Sequence, residues 1–288
     1  MNTNFYLAAV VCSAITAMAS AQSAAPATKT QDAAQTFVLF PAGDVLGLEV
    51  TNDSQKSLGK IDDLLLDPRS GEIRYAVLEA GGFLGMGEDH RIVPWSLIQV
   101  VPDEKDVGKS HARTQLTEEQ VKAAPKCKSD ECPDATLDAR IEASFGKNDG
   151  WAYAGKGDAT FVRSSKLEGV LIKDAASKEV GKVKELVLAP MNSCVAYVVI
   201  DTNETAGKKA IALPWSRLEF ACDKEKKVTG TTTVELAHFT GAPEYDAKNW
   251  KRMSSLAWMN ELSTYYTCDP FWKTTRFASA RKATNQRP

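Results

Sequence analysis

The chain has 288 residues, a hydrophobic fraction of 43%, a charged fraction of 25% and a formal net charge of −2. These are ordinary values for a soluble protein, and the length suits one large domain or two small ones. Past residue 21 no stretch is apolar enough to span a bilayer. The charge is unevenly spread, with −8 over residues 22–158 and +6 over residues 159–288. That asymmetry is either drift on two solvated surfaces or an attraction between two halves.

Residues 5–18 (FYLAAVVCSAITAM) are uncharged and apolar or small, and Ala19-Ser20-Ala21 supplies a small-x-small cleavage pattern. Residues 1–21 therefore read as a secretory signal peptide with Gln22 as the mature start. The rival reading is a buried N-terminal helix, because residues 1–4 hold no Lys or Arg. A transmembrane anchor needs about 20 strongly apolar residues, so no transmembrane segment is expected after cleavage. Val11 stands before Cys12 where a lipoprotein needs a small residue. Residues 22–36 are mostly Ala, Gln, Thr and Ser without periodicity and read as a flexible linker.

From residue 37 onward an internal repeat organises the chain. Residues 64–78 (LLLDPRSGEIRYAVL) and 186–200 (LVLAPMNSCVAYVVI) align at an offset of 122 without a gap. The offset pairs Pro68 with Pro190, Tyr75 with Tyr197, Val77 with Val199, Gly47 with Gly169 and Gly59 with Gly181. After a loss of two residues, Pro94-Trp95-Ser96 meets Pro214-Trp215-Ser216. Ile73, Tyr75 and Val77 alternate with Arg74 and Ala76, the pattern of a half-buried strand. Pro68 to Gly71 fits a type I turn, so the runs on either side form a hairpin. Gly47 and Gly59 are expected at tight bends or bulges. The predicted fold is mainly β: two tandem small antiparallel β-barrels over 37–102 and 159–222, each followed by a short helical segment.

The connecting segment 103–158 carries a short helix that starts at Thr117, with Gln120 as its capping-box partner. LTEEQVKAAP at 116–125 is echoed after the second repeat by LAHFTGAP at 236–243. Residues 223–272 form an aromatic helical segment, in which Trp250, Met253, Leu256, Ala257 and Leu262 suit one helical face. This segment is either an appended helix packed on the barrel or an aromatic ligand box. Residues 273–288 read as a flexible basic tail.

GGFLGMGEDHRIVPW at 81–95, preceded by DPRSGEIRYAVLEA at 67–80, resembles the signature of the PRC-barrel family. Leu58-Gly59-Lys60 and Gly47 fit the same pattern. The resemblance is specific over 42–102 and weaker over 164–222, where DTNETAGKKA replaces the glycine-rich loop and Ala189 replaces Asp67. It implies a small six-stranded barrel that serves as an interaction surface, as in the H subunit of the photosynthetic reaction centre and in ribosome-maturation factors. Since no catalytic residues belong to that fold, none is carried over.

Chemistry-bearing candidates are few. Gly81, Gly82, Gly85 and Gly87 lead into Glu88-Asp89 and a strand, not into the helix N-terminus that a phosphate loop needs. His90, His111 and His238 lack partners at metal or triad spacing. Asp62, Asp63 and Asp67 lack the fixed alternation of a calcium loop. Ser96 and Ser216 lack a nucleophile turn. Catalytic, cofactor and metal residues are therefore expected to be none. Tyr75, Val77, Trp95, Tyr197, Val199 and Trp215 are expected in the core, with a partner-facing role as the alternative for the two Trp residues. Of the cysteines, Cys127 and Cys132 are expected to form one disulfide and Cys194 and Cys222 a second, leaving Cys268 free or intermolecular.

The expected function is that of a non-enzymatic, exported binding or scaffold protein, periplasmic or extracellular. Its partner would be another envelope protein or a second copy, not nucleic acid, because the lysines are scattered over several strands. The alternative is an envelope enzyme, or a small-ligand or metal-binding protein, with its site between the two barrels.

Overall fold

The computed structural model describes residues 38–80, 89–103, 110–128, 136–146, 161–223, 225 and 227–273. The predicted signal peptide, linker, glycine run and Cys132 lie outside the described residues, as does nearly all of the basic tail. The described chain opens with β1 (Phe40–Pro41) and α1 (Ala42–Val45). It continues through β2 (Glu49–Asn52), β3 (Ser57–Leu66), β4 (Ile73–Glu79), β5 (His90–Pro94), β6 (Ile98–Pro102) and β7 (Ser110–Thr114). Helices α2 (Glu118–Ala123) and α3 (Thr136–Phe145) come next. The second repeat runs β8 (Val162–Arg163), β9 (Leu171–Lys173), β10 (Glu179–Ala189), β11 (Cys194–Thr202), β12 (Ala210–Pro214), β13 (Leu218–Cys222) and β14 (Val228–Thr232). It ends in α4 (Leu236–Phe239), α5 (Trp250–Met253) and α6 (Leu256–Tyr265). No helix among the described residues is long and apolar enough to cross a membrane.

The first sheet has the order β5-β4-β3-β2-β7-β6, and the second has the matching order β12-β11-β10-β9-β14-β13. In each, a turn beginning at Trp95 or Trp215 joins the two outermost strands, so the sheet curls into a barrel-like unit. Pairing is antiparallel except for β2 with β7 and β9 with β14, which are parallel. These last strands, β7 and β14, lie beyond residues 102 and 222. Gly59 and Gly181 are needed where strands approach closely: a Cβ there would lie 2.5 Å from the Glu79 carbonyl oxygen and 2.2 Å from that of Asp201. Both interiors are filled with apolar side chains, among them Leu58, Ile61 and Ala76 in the first and Val180, Val198 and Ile200 in the second.

Strand β4 is buried on both faces, whereas its alternation suggested one. Leu64, Leu66, Ala76 and Leu78 join the main core. Leu65, Tyr75 and Val77 instead pack with Leu137 and Ile141 of α3 and with Phe161. The charged Arg74 is tolerated there because Glu72 lies 3.4 Å away. The predicted capping box is present: Gln120 N donates to Thr117 Oγ1 at 3.2 Å and Thr117 N to Gln120 Oε1 at 2.8 Å. The LTEEQVKAAP and LAHFTGAP echo also has a structural meaning. After each helix the chain runs along the outer edge strand, with Ile92 N donating to Pro125 O at 2.9 Å and Tyr245 N to Ala210 O at 2.8 Å. Both straps cover what would otherwise be open sheet edges.

The predicted helical face from Trp250 to Leu262 in the aromatic segment falls on two helices, α5 and α6, not on one. Ser255 interrupts it and caps α6, accepting from Trp258 N at 3.2 Å. The break rotates the buried face to Met253, Trp258, Met259 and Leu262, leaving Ala257 exposed.

Candidate interaction site at the seam between the two barrels

The lead-in strands are exchanged. Strand β1, which leads into the first barrel, pairs with β10 of the second (Phe40 with Leu188, Pro41 with Val187). Strand β8, which leads into the second, pairs with β3 of the first (Leu66 with Val162, Leu65 with Arg163). The 122-residue offset maps one set of pairs onto the other. The β3–β4 and β10–β11 hairpin turns also meet. Ile73 N donates to Ser193 O at 2.7 Å and Val195 N to Gly71 O at 2.9 Å. Glu72 and Cys194 are mates in the repeat and bridge to each other, so they sit on the local two-fold axis.

The duplicated tryptophans belong to this seam. Trp95 is 1% exposed, and its indole Nε1 donates to Pro190 O of the other barrel at 3.4 Å. Trp215 is 4% exposed and lies on Gly71 of the first barrel, where a Cβ would stand 2.6 Å from the indole ring. Gly71 also has a φ of +71°, a left-handed conformation that glycine adopts at little cost. The core and partner-facing readings of these residues thus coincide, because the partner face is the other half of the chain. Tyr75, Val77, Tyr197 and Val199 are buried as well. The Tyr75 hydroxyl donates to Asp138 and the Tyr197 hydroxyl to Met253 O at 2.8 Å, so each tyrosine anchors the helix that covers its barrel. Burial pushes both hydroxyls well above their ordinary pKa, which keeps them protonated donors.

One buried ion pair crosses the seam. Asp63 Oδ2 accepts from Arg163 at 3.2 Å and from Ser165 Oγ at 2.6 Å. Its Oδ1 accepts from Ser164 Oγ at 2.7 Å and Ser165 N at 3.1 Å. Asp62, one residue away on the opposite face of the strand, pairs instead with His90 at 3.3 Å. Asp67 caps the turn, accepting from Arg69 N at 2.8 Å. The acidic cluster is therefore dispersed, and no group of three metal-ligating residues forms among the described ones. His111 lies on β7, while His238 in α4 stacks near Tyr265 with ring centroids 4.5 Å apart.

At the position of Asp63 the second repeat has Glu185, where Pro41 takes the place of Arg163. Glu185 accepts from the Tyr245 hydroxyl at 3.1 Å. Burial, aided by Asp44, raises its pKa above the ordinary carboxylate value. A raised folded-state pKa means the native state holds the proton more tightly than the unfolded chain. The resulting stability is present below the unfolded pKa and is lost as pH rises through the folded one. Glu185→Gln keeps an acceptor for Tyr245 and removes the charge. It is expected to raise the melting temperature at about pH 8 and to change it little at about pH 4. An equal shift at both pH values would show that Glu185 ionisation is not the cause.

The expected Cys194–Cys222 bridge is not formed, and no disulfide joins the described cysteines. Cys194 opens β11 and Cys222 ends β13, and β10, β9 and β14 lie between those strands in the sheet. Burial next to Glu72 pushes the Cys194 thiol well above its usual pKa, which keeps it unreactive. The expected Cys127–Cys132 bridge lies outside the described residues because Cys132 does. Cys268 is half-buried against the main core.

A cavity of about 320 Å³ opens where three segments converge on the seam. Arg69 and Ser70 come from the first barrel, β11 and the Pro214–Trp215–Ser216 turn from the second, and α6 and residues 269–272 form the outer wall. Phe271 and Trp272 stand edge to face there, with centroids 5.0 Å apart. The aromatic segment is thus both a helix packed on the barrel and part of a cavity wall. The sequence carried the aromatics but not their meeting with Arg69, some 200 residues distant.

The family model of the PRC-barrel domain matches residues 37–120 and 159–236, more than half of the chain. The chain belongs to the PRC-barrel family. The two matches contain the two sheets, and each PRC barrel extends past residue 102 or 222 to take in β7 or β14. Comparison with curated proteins gives no match. The PRC barrel is a general protein-interaction fold. In this chain one such interaction, barrel on barrel, is made internally.

Proposed function

We propose that this is a non-enzymatic, exported binding protein of the cell envelope, a scaffold of two PRC barrels whose contact surface is the seam and its C-terminal aromatic wall. The partner is another envelope protein or a second copy. One observation carries the reading: the barrel interiors are filled with side chains, while the seam holds an apolar cavity built from three segments. Beside the seam, at the tip of the β10–β11 turn, Met191 is 78% exposed where the first repeat has Arg69. An exposed apolar side chain at the seam and a concave aromatic wall favour a docking surface. The same cavity favours the small-ligand form of a site between the barrels as the second reading. Photo-crosslinking amino acids at positions 191 and 271, in cells that make the full chain, test the first. One partner, or a second copy, is expected at both positions and not at the exposed control position Lys227. Crosslinks no more frequent than at Lys227 overturn it. Recovery of the protein in the envelope fraction with Gln22 as its first residue is expected, and an intact residue 1–21 segment in the cytosol overturns the export part.

A further inference from the structure

We infer that the seam cavity takes an arginine side chain presented by another protein. The inference rests on the reading of the seam as a binding surface and names the group that anchors the partner there. The internal repeat supplies the template. Ala196, Tyr197 and Trp215 line the cavity, and their mates in the first repeat are Arg74, Tyr75 and Trp95. Arg74 and Ala196 are each the extra residue of a β-bulge: Leu65 and Leu66 pair with Tyr75 and Ile73, and Val187 and Leu188 pair with Tyr197 and Val195. The two side chains therefore leave their strands in the same way. In the first repeat the Arg74 guanidinium is buried over the Tyr75 ring, 5.9 Å from its centroid, and pairs with Glu72 at 3.4 Å. In the second repeat a methyl group stands at that place, Cys194 replaces Glu72, and a cavity of about 320 Å³ lies beside Tyr197. Its walls suit a guanidinium brought from outside. Aromatic side chains line it on two sides, Tyr197 and Trp215 on the barrel and Phe271 and Trp272 on the outer wall. A guanidinium is flat and weakly hydrated, and it stacks on such rings. Asp269 on the same outer wall can supply the carboxylate that Glu72 supplies to Arg74. Arg69, the other charge of the lining, stands on the first-barrel wall. Both rim charges are exposed, so solvent screens them and the aromatic rings carry most of the preference for a cation.

Titration of the full chain with two blocked tripeptides tests this, glycine-arginine-glycine and the same peptide with citrulline, the uncharged isostere, in place of arginine. Binding is read by tryptophan fluorescence, since Trp215 and Trp272 line the cavity. The arginine peptide is expected to bind about five- to thirtyfold more tightly than the citrulline peptide, the worth of a desolvated cation over aromatic rings. Ala196→Arg gives the second repeat the side chain of the first. It is expected to keep the near-ultraviolet dichroism of the unaltered chain and to abolish binding, because the chain's own guanidinium then fills the cavity. Asp269→Asn, at an exposed position that the fold does not depend on, is expected to weaken the arginine peptide about two- to fivefold and to leave the citrulline peptide unchanged. Equal binding of the two peptides overturns the inference, as does failure of both, undiminished binding in a folded Ala196→Arg chain, or an unchanged arginine affinity in Asp269→Asn. Binding seen only after removal of residues 274–288, which hold Arg276, Arg281 and Arg287, overturns it in favour of the chain's own arginines. A dimer of the full chain that the arginine peptide dissociates overturns it in favour of a second copy. Crosslinks at positions 191 and 271 would still stand if both peptides failed, so loss of the arginine inference is distinguishable from loss of the binding-surface reading.

Discussion

Replacing Arg163 with Ala is expected to lower the unfolding free energy by about 3–5 kcal/mol, because it strands the Asp63 carboxylate in a buried site. For a chain of this size that is a fall in melting temperature of roughly 10 °C. Arg163 is fully buried and Asp63 is 2% exposed, so water cannot replace the lost partner. The two serine hydroxyls that also bond Asp63 remain, but neither brings a positive charge. Removing both charges with Asp63→Leu and Arg163→Met is expected to recover much of the loss, since an apolar pair of similar volume avoids the desolvation cost. A melting temperature unchanged in Arg163→Ala would mean that the pair does not clamp the seam.

Separating the halves is expected to cost more still. Expressed alone, residues 37–158 lack β8 and residues 159–273 lack β1, the strands that complete each other's sheets. The first half also loses Arg163 from Asp63. Each half uncovers its tryptophan, Trp95 or Trp215, along with the paired hairpin turns. A barrel of about 60–80 residues has little stability to spare against such losses. Neither half alone is expected to show a cooperative thermal transition, and equimolar mixing is expected to restore one together with near-ultraviolet dichroism. A half that melts cooperatively at the temperature of the full chain would show that the exchange of strands is incidental.

Much of this architecture was legible in the residues. The ungapped offset, the Gly59 and Gly181 mates and the two Pro-Trp-Ser turns are local features, and local features determine strand, turn and repeat. The Thr117 capping box could be read from four adjacent residues for the same reason. Burial of Tyr75, Val77 and their mates was readable because β-branched and aromatic residues in phase leave little else to do.

Which strands become neighbours is another matter. Pairing is a long-range choice that the two-residue period of a strand does not encode. Thus Cys194 and Cys222, plausible mates along the chain, are parted by three strands, and Cys194 meets Glu72 on the local two-fold axis instead. Asp62 and Asp63 read as one acidic cluster, but alternation sends one to His90 and the other to Arg163, 100 residues on. The seam cavity is the furthest from the sequence, since it needs Arg69, Trp215 and Phe271 in one place. Two PRC barrels are written in the residues, because turns, bulges and strand alternation are set by near neighbours. The exchange of the lead-in strands is set by packing between segments more than 100 residues apart, and it joins the barrels into one body with a cavity at the join.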